Sequence, residues 1–205
     1  MRLRVLPAVL LTASVAGALL AASPVEEARK ATRAEQAKAC EIARWAAAQT
    51  LAGKPPSAPP SAATGVLAKP LPCFVTISVD GRRKACMGSF QPQHKTLAAN
   101  IVASAARAVK LDRRAGGLTA DQLKRAAVHV TVPGERRRVE DLSGYPPANY
   151  GLMVEKGAKS AVLLPGEAKT TRWQLAEAKR QAGIGPGETV TAYVFRAVTF
   201  GEGAR

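Results

Sequence analysis

Apolar and polar positions change their spacing several times along this chain. From Phe74 the sequence runs Phe-Val-Thr-Ile-Ser-Val, then Asp80-Gly81, then Arg-Arg-Lys-Ala-Cys-Met-Gly. Two short strand-like runs around Asp-Gly predict a hairpin, because a type I′ turn needs positive φ at both central residues. That hairpin delivers Cys86 and Gly88 into a short loop. Val128, Val130 and Val132 alternate with His129 and Thr131, which predicts a strand with the valines inward. Tyr150 to Glu155 and Ala161 to Leu164 predict a second strand pair joined through Gly157, and Thr189 to Phe200 a long final strand.

Helical spacing appears between these runs. Ser23-Pro24-Val25-Glu26 reads as a helix start, with Ser as N-cap, Pro at the first position and Glu at N3. The helix it opens is expected to reach Leu51, with Gly53 as its stop. Ala39, Ile42, Ala43 and Ala46 form a weak apolar stripe flanked by Trp45. The charged, Ala-rich first half is expected to act as a spacer and the second half to dock. Leu97 to Lys110 repeats with helical period through Leu97, Ile101, Ala105 and Ala108. Thr119 and Gln122 form a capping-box pattern, and so do Thr171 and Gln174, whose helix should end at Gly183. Mixed helices and hairpins predict an α+β fold with a mainly antiparallel sheet and flanking helices.

The ends and joints divide the chain. Arg2 and Arg4 precede an uncharged run from Val5 to Ala22, the pattern of a secretory leader. Residues 1–22 are therefore expected to be a signal peptide or an N-terminal anchor, and both outcomes stay open. Residues 23–52 form the spacer and docking helix. Residues 53–72 hold prolines at 55, 56, 59, 60, 70 and 72, which predict a linker. Residues 73–201 form the α+β domain, and 202–205 a tail.

Composition adds compartment and charge. The chain has 205 residues, 47% hydrophobic but only 4% aromatic, so Ala, Val and Leu must fill much of its core. It carries 30 basic and 15 acidic residues, a net charge of +15. The leader holds two of the basic residues, so 28 against 15 leaves the remainder at +13. In the cytoplasm such a balance suggests nucleic acid. Behind a leader it suggests an envelope protein, an anionic polymer or anionic lipid, in a periplasmic or secreted protein. The densest clusters, Arg82-Arg83-Lys84 and Arg136-Arg137-Arg138, lack the interleaved aromatics of a single-strand surface.

Cys86 is the candidate for chemistry. Arg83 and Lys84 precede it and a turn follows, which is expected to depress its pKa and expose it. His94, in the loop after Gln91-Pro-Gln, is a candidate base that could return to it. The competing reading is a half-buried strand cysteine packing as a small hydrophobe. No tight Cys/His spacing predicts a metal site, and nothing in the sequence implies a cofactor. A two-residue turn places Cys73 on the face of Cys86, offset diagonally at the edge of disulfide reach; a three-residue turn places the two on opposite faces. The sequence leaves both registers open.

Arg83-Lys84-Ala85-Cys86-Met87-Gly88 resembles the Leu-Arg-Gly-Cys-Ile-Gly motif of the AMMECR domain family. The likeness extends to Ala39 to Trp45, Asn100-Ile101, Asp112 with Leu118, Thr119 and Leu123, Val128 to Val132, Tyr150 to Gly157, Val162 to Pro165, and Trp173. It spans about residues 36–201, and bacterial members (the AmmeMemoRadiSam system protein A type) are similar to it. The resemblance implies a two-subdomain architecture with the Cys motif near a cleft. It places Arg83, Lys84 and Gly88 beside that cleft, with Tyr150 and Glu155 as further binding candidates. It also implies Memo-like and radical-SAM proteins as partners. The motif departs from the family at Arg83, Lys84, Ala85 and Met87, and the family's Asp-Pro-Arg-Phe element keeps neither its Pro nor its Phe. These departures favour a binding or accessory module over a thiol-dependent enzyme of a modification pathway.

Overall fold

The computed structural model describes residues 22–56 and 63–201. The expected leader and the tail from residue 202 lie outside these residues, apart from Ala22. Two helices, α1 (Pro24–Arg29) and α2 (Arg33–Leu51), open the fold. The expectation of one helix from Ser23 fails at Thr32. Its hydroxyl accepts from the Glu35 N–H at 3.2 Å and the Glu35 carboxylate accepts from the Thr32 N–H at 2.8 Å. This capping box starts a new helix. Nor is the first segment a detached spacer, because Val25 and Ala28 are buried and α1 packs on β3 (Ala127–Pro133) and β8 (Ala197–Gly201).

Next come β1 (Phe74–Val79), β2 (Arg82–Gly88), α3 (Leu97–Leu111) and α4 (Ala120–Arg125), then β3. Then follow β4 (Arg137–Val139), β5 (Gly151–Lys156), β6 (Lys159–Leu163), α5 (Thr171–Ala182), β7 (Thr191–Phe195) and β8. They build two four-stranded antiparallel sheets, ordered β2-β1-β3-β8 and β4-β7-β5-β6. The single long strand expected at the end is two strands. Arg196 separates them, and each joins a different sheet. The short β4 has no signal in the sequence, since its Arg137-Arg138-Val139 lacks alternation.

Each sheet has its own core. In the first, α2 and α3 cover one face, and Ala39, Ile42, Ala43 and Ala46 are buried as the stripe predicts. Alanine lets the two helices approach closely over Val75, Ile77, Val128 and Val130. The Pro-rich stretch is less of a linker than expected, because Val66, Leu67 and Leu71 are buried in this core. In the second sheet, α5 packs on β5 and β6 around Leu152, Val154, Leu163 and Ala178. The α5 N-cap is Thr170, one residue before the expected Thr171. A third cluster, Phe74, Leu164 and Phe195 with Phe90 and Cys86, fills the seam between the sheets. That second packed face explains why Thr131, expected outward, is buried; its hydroxyl meets that of Thr199 at 3.0 Å.

Candidate functional site

The hairpin forms as the Asp-Gly signal predicts, with φ of 51° at Asp80 and 72° at Gly81. Its register then slips. Val79 pairs with Arg82 and Ser78 with Arg83, but Ile77 pairs with Ala85, so Lys84 is the extra residue of a bulge. Cys86 consequently lies opposite Thr76 and not Val75. Because side chains alternate across a strand, Cys73 and Cys86 face opposite sides of the sheet. No disulfide joins the three cysteines. Cys73 points toward α3, where its sulfur lies 3.7 Å from the Ser104 hydroxyl; burial pushes its thiol up to about 12.

Cys86 turns toward the seam and borders a cavity of about 610 Å³. One wall is the β2 end with Phe74 and Met87. The facing wall is β6 from Ser160 to Val162, with Leu164. The rim carries Leu111 at the end of α3, Arg113 just beyond it, and Arg180 near the end of α5. Three arginines, Arg113, Arg114 and Arg180, oppose one carboxylate, Asp112, around this space.

Asp112 organises the site. Its Oδ2 accepts the Cys86 backbone N–H at 2.8 Å, and its Oδ1 accepts the Arg114 N–H at 2.9 Å. The Arg114 guanidinium closes on the same carboxylate at 2.6 to 3.2 Å. Burial opposes the charge on Asp112, yet these donors outweigh it and hold the carboxyl below its ordinary range. The Cys86 N–H therefore points away from β1, and the aspartate caps the open edge of β2. Arg180 is held by Glu177, whose carboxyl that guanidinium draws down to about 2. Arg113 has no carboxylate partner among the described residues.

The expected activation of Cys86 does not occur. Burial pushes its thiol above the ordinary value; the Thr76 hydroxyl, donating to the sulfur at 3.3 Å, opposes this only partly. Arg83 favours the thiolate as expected, but its partner Glu167 opposes it. Its Nη1 reaches both oxygens of Glu167 at 2.7 and 2.6 Å and ties β2 to the loop after β6. His94 does not return to Cys86. It lines a separate cavity of about 290 Å³ with Cys73 and Asn100, whose Oδ1 accepts the His94 N–H at 2.9 Å. Folded protein should therefore react slowly with iodoacetamide at pH 7. The rate at Cys86 should climb as pH rises past the ordinary thiol value, because only the thiolate attacks. Fast labelling of Cys86 at neutral pH, located by mass spectrometry, would contradict this.

The remaining candidates fall in three places. Gly88 borders the cavity and lies against β1. Tyr150 lines another cavity of about 350 Å³, where its hydroxyl accepts from Arg196 at 3.1 Å. Glu155 faces Arg136 at 3.7 Å. Neither borders the Cys86 cavity, because Tyr150 precedes and Glu155 lies within the inner strand β5, while β6 forms the wall. Arg136 also stacks on Phe90 and Tyr193, at 4.8 and 5.5 Å, so part of that arginine run is structural. Among the described residues no cluster of metal-ligating side chains forms, and no helix is long and apolar enough to cross a membrane.

Sequence reasoning missed Asp112, Arg113, Arg114 and Arg180 as cavity residues. Asp112 and Arg114 stand where the family motif has its Asp and Arg, and the structure pairs those two. A signal was thus present, hidden by the changed residues between and after them.

Known proteins agree with this architecture. An uncharacterized protein of Pyrococcus horikoshii has a similar crystal structure, with a TM-score of 0.65 and 24% identity. The superposition covers 80% of this chain and 90% of that one. A curated protein of Thermotoga maritima is 35% identical over 114 residues, 54% of this chain. The match spans 66% of that relative's length, just under two thirds. The AMMECR1 family model matches residues 40–200, most of the chain, and the chain belongs to that family.

Proposed function

We propose that the protein is an exported binding module whose seam cavity holds an anionic partner. The observation that carries this reading is the arginine excess at the cavity, with Arg113 uncompensated near the buried Phe74 and Leu164. A half-buried Cys86 whose thiol is pushed above its ordinary value, with no base beside it among the described residues, supports binding over nucleophilic catalysis. The thiol-enzyme reading rests on Cys86 bordering the cavity, and fast neutral alkylation would favour it.

Poly-L-glutamate is a suitable probe. Replacing Arg113 and Arg180 together by alanine should weaken its binding several-fold, since each solvent-exposed ion pair contributes little on its own. Lys124→Ala, on exposed α4, should change it little. Equal weakening by both would show that only the overall charge acts. Export is supported by Arg2, Arg4 and the neutral run to Ala22. An alkaline phosphatase fusion after residue 56 should be active, and an inactive cytosolic fusion would overturn the exported setting.

A further inference from the structure

Two sheet edges face one another across the cavity. β2 ends the order of the first sheet and β6 ends that of the second. The two edges are not equivalent. Asp112 closes β2 by taking the Cys86 N–H at 2.8 Å. Among the described residues β6 pairs with β5 alone, from Lys156↔Lys159 to Leu152↔Leu163. Lys159 flanks the two-residue turn at Gly157 and pairs across it, so Ala161 and Leu163 also direct their N–H groups to β5. The N–H groups of Ser160 and Val162 then point outward, into the space that both residues border.

An open edge inside a groove is a template for another strand. β6 offers five residues, a length of about 16 Å at 3.3 Å per residue. The surroundings define the side chains that would suit. Leu111 is 60% exposed on the rim. Trp173, 51% exposed, shares a stripe of α5 with Glu177 and Arg180, four and seven residues on. Arg113 and Arg180 stand beside these apolar groups.

We propose that the cavity binds an extended acidic segment of a partner protein, added as a fifth strand along β6. Alternate apolar side chains of the segment rest on Val162, Leu164 and Leu111, and the intervening carboxylates meet Arg113 and Arg180. This deepens the reading of the cavity as an anion-holding site and rests on it. It adds that the peptide backbone is recognised.

The probe is a fluorescein-labelled, end-blocked hexapeptide of alternating valine and glutamate, followed by anisotropy against the full protein. Two analogues carry N-methyl groups on all valine amides or on all glutamate amides. A strand on β6 uses only one alternate set of amides. One analogue should therefore bind at least tenfold more weakly than the parent, and the other within about threefold. Val162→Pro, which removes an outward N–H, should also weaken the parent at least tenfold. Circular dichroism reports whether that variant folds, and the analogues decide the question if it does not.

If both analogues bind like the parent, the backbone is not read and the strand proposal is wrong. If the hexapeptide fails to bind at about 1 mM while poly-L-glutamate still depends on Arg113 and Arg180, the strand proposal also falls but the anion site stands. If neither probe depends on those arginines, both readings fall together.

Discussion

Gly88→Ala should lower the stability of the domain by about 3 kcal/mol or more, equivalent to about 6–12 °C in Tm for a chain of this size. Gly88 pairs with Phe74 across the hairpin. A Cβ at this position would stand 2.5 Å from the Phe74 Cα and 2.6 Å from its ring, and would strike the Cys73 carbonyl oxygen. Real contacts of that kind are essentially absent, and two of these three neighbours are backbone. Relief would require β1 to move, and β1 is a central strand between β2 and β3. The Ser89 N–H also donates to that Cys73 carbonyl at 3.1 Å, so the exit of the hairpin is pinned to the same atoms. Gly144→Ala is the control, because nothing lies within 4 Å of the place its Cβ would take and its φ is ordinary. Its Tm should move by no more than about 2 °C. Thermal unfolding of both variants at one pH is the measurement. A Gly88→Ala protein as stable as the parent would mean that the strands separate freely here. The tight packing of β2 on β1 beside the seam would then be wrong.

That glycine shows what a sequence can carry. The Asp80-Gly81 turn was legible because φ at both residues is a local property. The bulge at Lys84 was not, because it depends on what each face of β2 must meet. Ala85 has to enter the helix-covered core, while Cys86 has to enter the seam. One inserted residue satisfies both demands and decides the disulfide question, which the sequence left open. The break at Thr32 was legible in principle, as Thr-x-x-Glu, but the Ser23-Pro24 start upstream suggested one continuous helix. Thr131 and the split at Arg196 share a different cause. Both reflect a second sheet packed on a face that alternation alone marks as polar.

The site was legible only at its centre. Cys86 and Gly88 border the cavity, as the motif suggested, but His94 belongs to the opposite face and Tyr150 and Glu155 to other surfaces. The groups that give the cavity its charge come from the turn after α3 and the end of α5, respectively 26 and 94 residues beyond Cys86 at Asp112 and Arg180. The charge of a linear neighbour such as Arg83 is offset at the sulfur by Glu167, with which it pairs to tie one sheet to the other. Charge beside a cysteine in sequence is therefore a poor guide to charge at its sulfur. Burial decides here, and it acts against the thiolate.

Asp112→Ala should cost about 1–3 kcal/mol, because one substitution takes the acceptor from the part-buried Cys86 N–H and the counter-ion from the more exposed Arg114. The Asp112 side chain is only 8% exposed, and it serves the Cys86 N–H and the Arg114 guanidinium together. Alanine leaves the strand-edge N–H without an acceptor and the arginine without its counter-ion. Asp112→Asn keeps the shape and one acceptor but loses the charge, so it should cost about 1–2 kcal/mol at pH 7. The two proteins should also differ in their response to acid. The folded carboxyl lies below its ordinary value of 3.8, so its charge stabilises the fold above that pH. The contribution falls away as pH drops through the folded value, where the folded protein also takes up the proton. The stability gap between parent and Asp112→Asn should therefore be widest near neutrality and shrink between pH 4 and the acid limit of folding. Subtracting the variant removes the parallel titrations of Glu27, Glu35 and Glu177, which both proteins share. Urea unfolding at several pH values measures the gap. A gap that stays constant into acid would show that the aspartate acts by shape alone, and that its charge does not hold Arg114 at the cavity.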